Sequence, residues 1–209
     1  TILEVLTDHI PNKYGIPASD VMVLSPIRKK RGDLNCTSLN ELIQQTLNPH
    51  GELIPIVNQS FRVGDKVMQM SNDYSKNVFN GDVGYITRVY AKTENGAGAF
   101  FVDFYGSEVM YEFSEANSLT HAWASTIHKA QGGESDAVIV VLPDDYMASN
   151  MLTRNLLYTG ITRAKKVCIL MGKDRHIVKA ISTSGIAKRY TNLSEKINEA
   201  YLQERYRRK

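Results

Sequence analysis

Apolar residues recur at helical spacing in some parts of the chain and form continuous runs in others. Residues 2–10 show the helical spacing, and Pro11 is expected to end that helix. Val21-Met22-Val23-Leu24 is a short apolar run, typical of a strand buried on both faces of a parallel sheet. Residues 34–47 then form an amphipathic pattern that stops at Asn48-Pro49. This order of elements predicts an α/β domain.

The helical period disappears between about residue 52 and residue 118. Short runs rich in β-branched and aromatic residues alternate there with turn signals such as Gly64-Asp65 and Asn80-Gly81. This spacing predicts a small antiparallel barrel or sandwich inserted into the α/β domain. The predicted division is residues 1–52 with 119–209 for the α/β domain and residues 53–118 for the insertion.

The α/β pattern resumes after the insertion. The predicted elements are strands at 121–127, 137–142 and 166–171 and helices at about 149–160 and 176–181.

Composition excludes several classes of protein. The 209 residues carry a formal net charge of +3, which permits binding to a polyanion without requiring it. Cys36 and Cys168 belong to no Cys-x-x-Cys or His cluster, so we expect neither a zinc site nor a disulfide framework. No apolar run reaches the roughly 18 residues of a membrane span. We expect a cytoplasmic protein, no membrane contact and no metal site. Because the chain opens on Thr1, we also expect a piece of a longer protein.

Polar groups concentrate in a segment between two apolar runs. Such a connection can present its side chains at a sheet edge, where α/β proteins bind ligands. Gly132-Gly133 would let a ligand approach the backbone closely. The side chains that can bind phosphate or sugar oxygens are Thr126, His128, Lys129, Gln131 and Glu134. The alternative is a surface turn. Acid–base catalysis by His128 is disfavoured, because no Ser or Cys nucleophile with a carboxylate partner is evident.

Two arginines are candidate phosphate ligands. Arg163 stands just before a predicted strand, and Arg28 stands in a basic loop that follows one. The planar guanidinium binds phosphate oxygens and is always charged, so both could act on one phosphoryl group. The alternatives are a surface Arg163 paired with a carboxylate and a solvated basic loop around Arg28.

These segments resemble motifs of superfamily 1 helicases. Thr126–Glu134 resembles motif V and Leu157–Ala164 resembles motif VI. The RecD-like branch is the nearest, because Val23–Arg28 resembles its motif IV region and Gly64–Gln69 with Asn80–Gly84 resembles its SH3-like insertion. The resemblance implies a RecA-like parallel-sheet motor domain of the P-loop NTPase fold. It would be the second motor domain, which lacks the P-loop, with an inserted small SH3-like β-barrel. The implied activity is ATP-driven 5′ to 3′ DNA unwinding, as in helicases related to the exodeoxyribonuclease V alpha subunit.

The resemblance also implies roles for individual residues. The implied catalytic residues are Arg163, as an arginine finger, and Arg28. The implied nucleotide-binding residues are Gln131, Gly133 and Glu134. The implied contacts to single-stranded DNA are Thr126, His128, Lys129, Pro26 and Asn80. Gly133 stands where many relatives have Ser.

The sequence contains no Gly-x-x-x-x-Gly-Lys-Ser/Thr segment. Asp144-Asp145 follows a predicted strand, but without a P-loop to share Mg²⁺ it is interpreted as a turn. ATP and Mg²⁺ are therefore expected to bind mainly to an N-terminal motor domain of the same polypeptide. Single-stranded DNA is the other expected partner, and membership of a nuclease–helicase complex stays open. The alternative is a non-enzymatic nucleic-acid-binding or protein-docking module derived from a helicase domain.

The β insertion offers further candidate contacts to DNA. They are Lys66, Lys76, Arg88, Tyr74 and Phe79. Core packing is expected for the aromatic residues Phe101, Tyr111 and Phe113.

Overall fold

The fold was established from a computed structural model that describes residues 1–28, 34–56, 60–90, 98–144 and 151–184, with 192, 195–199 and 201. The longer helices in these ranges are α1 (residues 2–14), α2 (Cys36–Leu47), α3 (Arg154–Ile161) and α4 (Asp174–Ser182). Short 3-10 turns lie at Ala18–Asp20 and Phe113–Ser118, and residues 195–199 and 201 are also helical. The strands are β1 (Val21–Ser25), β2 (Lys66–Gln69), β3 (Val83–Tyr90), β4 (Ala99–Phe104), β5 (Ser107–Glu112), β6 (Leu119–His121), β7 (Ala124–Thr126), β8 (Ser135–Val141) and β9 (Ala164–Met171). They form a parallel sheet and an antiparallel sheet, which confirms the predicted α/β fold with a β insertion.

The parallel sheet has the strand order β7-β1-β8-β9. Successive side chains of a strand point to opposite faces, so the continuous apolar runs fill two cores. Val23 and Ile139 pack with α1 and α2 on one face. Leu24, Val138 and Val140 pack with α3 and α4 on the other. Packing on both faces holds the parallel sheet in place, and with it the strand ends from which the polar loops start.

Helix α1 extends past the expected stop at Pro11. It is α-helical at Ile2–Glu4, π-helical at Val5–His9 and α-helical again at Ile10–Tyr14. Pro11 therefore lies inside a continuous helix, two residues after its π-helical segment. The helix ends at Gly15, whose φ of 67° provides the left-handed cap that other residues rarely adopt.

Predicted elements nearer the carboxyl terminus are found with shifted bounds. Helix α3 begins at Arg154, and the predicted helix start near residue 149 lies outside the described residues. Asp144 lies in a bend after β8, as the turn interpretation predicted, and accepts contacts from Lys173, Arg175 and His176. Asp145 also lies outside the described residues.

The antiparallel sheet has the order β5-β4-β3-β2-β6 and encloses a separate core. Phe100 and Tyr111 stack in this core with ring centroids 5.6 Å apart. Tyr111 is buried, as expected, whereas Phe101 and Phe113 are only partly buried. A bulge between Ile86 and Arg88 shifts the pairing of β3 with β4 and increases the local twist.

The single strand predicted at 121–127 is two strands in different sheets. Strand β6 pairs with β2 of the antiparallel sheet, and β7 pairs with β1 of the parallel sheet. Trp123 lies between them and is buried. Asn40 of α2 exchanges two hydrogen bonds of 2.8 Å with the backbone of Ala124. The N–H and C=O groups of Ala124 are thereby paired on the side of β7 that has no neighbouring strand.

A buried carboxylate joins α2 to the antiparallel sheet near this crossing. Asp65 is fully buried and accepts hydrogen bonds from the Gln44 side chain (2.5 Å), the Asn48 side chain (2.8 Å) and the Arg62 backbone (2.8 Å). His121 Nε2 lies 3.2 Å from the same carboxylate. The polar groups at the junction are therefore mutually satisfied. The domain boundaries at 52/53 and 118/119 stay predictions.

Candidate nucleotide and nucleic-acid site

We call the side of the parallel sheet at which its strands end the carboxyl edge, and the side at which they begin the amino edge. The loop Thr126–Glu134 runs from the carboxyl edge to the amino edge. Thr126 is the last residue of β7 and pairs with Ser25 at the end of β1. Glu134 directly precedes Ser135, the first residue of β8. The seven residues of β8, at about 3.3 Å each, separate these edges by about 20 Å. The first residues of the loop therefore lie at the carboxyl edge and its last residues at the amino edge.

Local contacts hold the loop in this path. Ile127 and Ala130 are buried in the core, and the Ala130 N–H bonds to the Thr126 carbonyl at 3.1 Å. Gly132 has a φ of 92°, which favours glycine. Gly133 has no such requirement, since a Cβ there would lie 3.6 Å from its nearest neighbours, an ordinary contact distance. A Ser at this position would fit.

Arg163 lies at the amino edge, beside the end of this loop. Its guanidinium donates from Nε to the Thr159 carbonyl (3.2 Å), from Nη1 to the Gly133 carbonyl (3.1 Å) and from Nη2 to the Thr162 hydroxyl (3.2 Å). All three acceptors are neutral, and no carboxylate of the described residues pairs with this side chain. The alternative of a surface Arg163 paired with a carboxylate is not observed here. Its charge is left for an external anion.

A groove of about 1120 Å³ runs beside the same edge, between the loop and the β insertion. Its lining includes the predicted nucleotide residues Gln131, Gly133 and Glu134. Glu134 lies 3.7 Å from Lys165, and both side chains are more than half exposed, so this ion pair is weak. Lys165 was not predicted, although it follows Arg163 by only two residues.

A smaller cleft of about 400 Å³ lies at the carboxyl edge. It is lined by Arg28, Thr126 and Lys129, and neither cation has a carboxylate partner among the described residues. Burial, followed by the positive charge of Arg28, lowers the pKa of Lys129. The Lys129 ammonium lies 2.9 Å from the sulfur of Met70, which belongs to the insertion. Two unneutralised cations in one cleft favour an anionic ligand.

The structure does not bring Arg28 and Arg163 together. Arg28 follows β1 at the carboxyl edge, and Arg163 precedes β9 at the amino edge. The length of the sheet lies between them, so these positions do not support the expectation that both approach one phosphate, which stays a prediction. Arg28 lies instead with Thr126 and Lys129.

The other predicted DNA contacts divide between the two sites. His128 and Asn80 are exposed and line the larger groove, beside the predicted nucleotide residues. Lys129 lines both sites. Pro26 follows β1 at the carboxyl edge and is buried, so its side chain offers little surface to a ligand.

The cations predicted to contact DNA from the insertion already have partners. Lys66 donates to the Ser19 carbonyl at 2.6 Å. Lys76 lies 2.6 Å from Glu115 and 4.3 Å from the ring centroid of Tyr111. Arg88 pairs with Glu108. Of the predicted stacking residues, Tyr74 and Phe79 are exposed and meet edge to face, with centroids 6.1 Å apart.

The described ranges contain no group of three or more His, Cys, Asp or Glu side chains that could hold a metal ion. They also contain no helix long and apolar enough to cross a membrane.

The sequence matches two family models. Residues 39–104 match the ATP-dependent RecD-like DNA helicase SH3 domain, and residues 121–171 match the UvrD-like helicase C-terminal domain. The chain is 39% identical over 145 residues to the ATP-dependent RecD2 DNA helicase of Deinococcus radiodurans, covering 69% of this chain and 19% of the relative. It is 32% identical over 141 residues to the RecBCD enzyme subunit RecD of Mycolicibacterium smegmatis, covering 68% of this chain and 23% of the relative. The chain therefore spans about a fifth of the length of these relatives.

A solved structure confirms the fold. It is described as the structural basis for DNA unwinding at forked dsDNA by two coordinating Pif1 helicases. The alignment covers 97% of this chain and 48% of that chain, with a TM-score of 0.52 and 18% identity. At this identity the likeness concerns the parallel-sheet helicase motor fold alone.

Proposed function

Because the chain belongs to the RecD-like helicase family, of which it carries a C-terminal region, we propose that it forms half of an ATP-driven motor on single-stranded DNA. The other half is an N-terminal motor domain of the same polypeptide. That domain binds most of the ATP and its Mg²⁺, and this chain closes over the γ-phosphate. Translocation from 5′ to 3′ is part of the same proposal and rests on the family resemblance.

The observation that carries this proposal is the state of the Arg163 guanidinium. Arginine has five N–H donors, and three are used on neutral acceptors. Among the described residues, one N–H on each terminal nitrogen has no partner and is available to phosphate oxygens. Charge develops on the γ-phosphoryl group during transfer, and an arginine that reaches it lowers the barrier. Hydrolysis then depends on closure of the cleft between the two motor domains.

The second part of the proposal assigns DNA to the carboxyl-edge cleft. Arg28 and Lys129 bind backbone phosphates there, and the Thr126 hydroxyl adds a hydrogen bond. This assignment moves Arg28 from the nucleotide to the DNA, because Arg28 shares an edge with Lys129 and not with Arg163. Thr126–Glu134 is then the element that connects the DNA edge to the nucleotide edge.

The DNA assignment is tested by fluorescence anisotropy with a labelled oligothymidylate over a range of salt concentrations. Arg28→Ala and Lys129→Ala should each weaken binding and reduce the slope of log affinity against log salt by about 1. Lys173→Ala is the matched control, since Lys173 pairs with Asp144. Unchanged affinity and salt slope in both variants would show that DNA does not bind in this cleft.

The non-enzymatic alternative is decided by the coding sequence upstream. A P-loop encoded within a few hundred residues supports the motor. A start site close to Thr1 with no such segment supports a binding or docking module instead. The chain by itself should hydrolyse no ATP with single-stranded DNA, and robust turnover by a pure sample would contradict the shared site.

A further inference from the structure

One backbone carbonyl of the parallel-sheet domain, that of Ser19, accepts two side-chain donors from the β insertion. Ser19 belongs to the short turn Ala18–Asp20, which leads into β1. Its carbonyl accepts hydrogen bonds from the Lys66 ammonium (2.6 Å) and the Tyr85 hydroxyl (3.0 Å). Lys66 begins β2 and Tyr85 lies in β3, so both donors come from the antiparallel sheet.

The same turn is bonded to the edge that carries the arginine. The carbonyl of Asp20, next to Ser19, accepts a hydrogen bond of 2.6 Å from the Ser135 hydroxyl. The Ser135 backbone N–H donates to the Arg163 carbonyl at 2.9 Å, and Arg163 Nη1 donates to the Gly133 carbonyl at 3.1 Å. A short series of hydrogen bonds therefore connects the insertion to the Arg163 guanidinium. It passes through the turn Ala18–Asp20 and through Ser135, the first residue of β8.

From this geometry we infer that Lys66 and Tyr85 are positioning residues, which fix the loop end Gly133–Ser135 and Arg163 relative to the β insertion. The inference rests on the proposed role of Arg163. Ser19 and Asp20 are consecutive, so a shift of the insertion that moves one carbonyl moves the other. A ligand that displaces the insertion therefore changes the position of Arg163, and an insertion held by this contact keeps Arg163 in place.

The competing explanation is that the two bonds only pack the insertion against the domain. A substitution at Tyr85 can distinguish the two explanations, because its ring and its hydroxyl make different contacts. The ring packs edge to face against Trp123, with centroids 6.3 Å apart. Tyr85→Phe keeps this ring packing and removes only the hydroxyl. Lys66→Met keeps most of the side-chain volume and removes only the ammonium.

Hydrogen–deuterium exchange of this chain tests the inference without any activity. The Ser135 amide is the reporter, since its N–H bonds to Arg163. Tyr85→Phe and Lys66→Met should each speed its exchange at least about fivefold, the equivalent of one lost hydrogen bond. Tyr74→Phe, an exposed tyrosine of the same insertion, is the matched control and should leave it unchanged. Faster exchange at Ser19–Val21 with an unchanged Ser135 amide would overturn the inference in favour of simple packing, and so would no change at either place.

Kinetics of the full-length protein supply the second readout. Tyr85→Phe should lower kcat for DNA-stimulated ATP hydrolysis about fivefold and leave KM for ATP unchanged. Lys66→Arg, which keeps a donor, should restore most of the turnover that Lys66→Met loses. An unchanged kcat in both loss-of-donor variants would contradict positioning. If the wild type hydrolyses no ATP, the proposed function fails, and the exchange at Ser135 still decides whether the contact positions Arg163.

Discussion

The buried ammonium of Lys66 makes the stability of the chain depend on alkaline pH. Lys66 is only partly accessible, and burial lowers its pKa to about 8, against the opposing effect of the nearby Asp20 carboxylate. In the unfolded chain its pKa is about 10.4. Between these two values the unfolded state holds a proton that the folded state has released. The free energy of unfolding must therefore rise with pH in this window, and the contribution is absent below about pH 8.

The expected magnitude follows from the position of the folded pKa. A pH of about 9.5 is about 1.5 pH units above the folded-state pKa of Lys66. Each unit corresponds to 1.36 kcal/mol, so Lys66 adds about 2 kcal/mol to the free energy of unfolding at that pH. Lys66→Met removes the titrating group together with its hydrogen bond to Ser19. The wild type should therefore gain about 2 kcal/mol relative to Lys66→Met between about pH 7 and about pH 9.5.

Urea denaturation at the two pH values measures this gain. The quantity to compare is the difference in unfolding free energy between wild type and variant, because other titrating groups cancel in it. Lys13→Met, at an exposed position, is the matched control. A wild-type–variant difference that is the same at both pH values would refute the reasoning, since Lys66 would then titrate alike in the folded and unfolded chain.

Two further predictions concern stability. Asp65→Ala removes the shared acceptor of the buried junction and should lower the free energy of unfolding by about 3 kcal/mol or more in urea, whereas a loss below about 1 kcal/mol would mean that water replaces the carboxylate. Gly84→Ala places a Cβ 2.4 Å from the Asp103 carbonyl oxygen and should lower the melting temperature. Gly133→Ser, with nearest neighbours at 3.6 Å, should leave it unchanged, and equal melting temperatures for the two variants would contradict this reasoning.

Much of the fold could be predicted because the strands of a buried parallel sheet have a strong local signature. The run Val21–Leu24 and the run that became β8 are continuous and apolar, and both are central strands. The edge strand β7 has no such signature. The sequence predicts one strand for β6 and β7 together, because only pairing partners far away in sequence distinguish the two.

The opposite edges of Arg28 and Arg163 could have been recognised from sequence. One arginine was predicted to follow a strand and the other to precede one. In a parallel sheet these positions lie at opposite edges. The prediction that both bind one phosphate rests on the chemistry of the guanidinium and on the motif resemblance, and not on these positions.

Contacts between the insertion and the parallel-sheet domain could not be predicted. The bonds from Lys66 and Tyr85 to Ser19 join residues more than 40 positions apart, and nothing near Ser19 in the sequence indicates them. Lys66 was accordingly predicted to contact DNA, whereas its ammonium is bonded within the protein. A lone cation in a β pattern reveals its charge but not its partner.

The central claim is that Arg163 acts on the nucleotide held by a second motor domain. The most direct test is DNA-stimulated ATP turnover by the full-length protein carrying Arg163→Ala. Arg154→Ala is the control, since Arg154 is an exposed arginine at the start of α3, the helix that precedes Arg163. The account predicts a loss of about 10³-fold or more in kcat for Arg163→Ala, with ATP binding largely kept and Arg154→Ala near wild type. Turnover of Arg163→Ala close to that of wild type would contradict it.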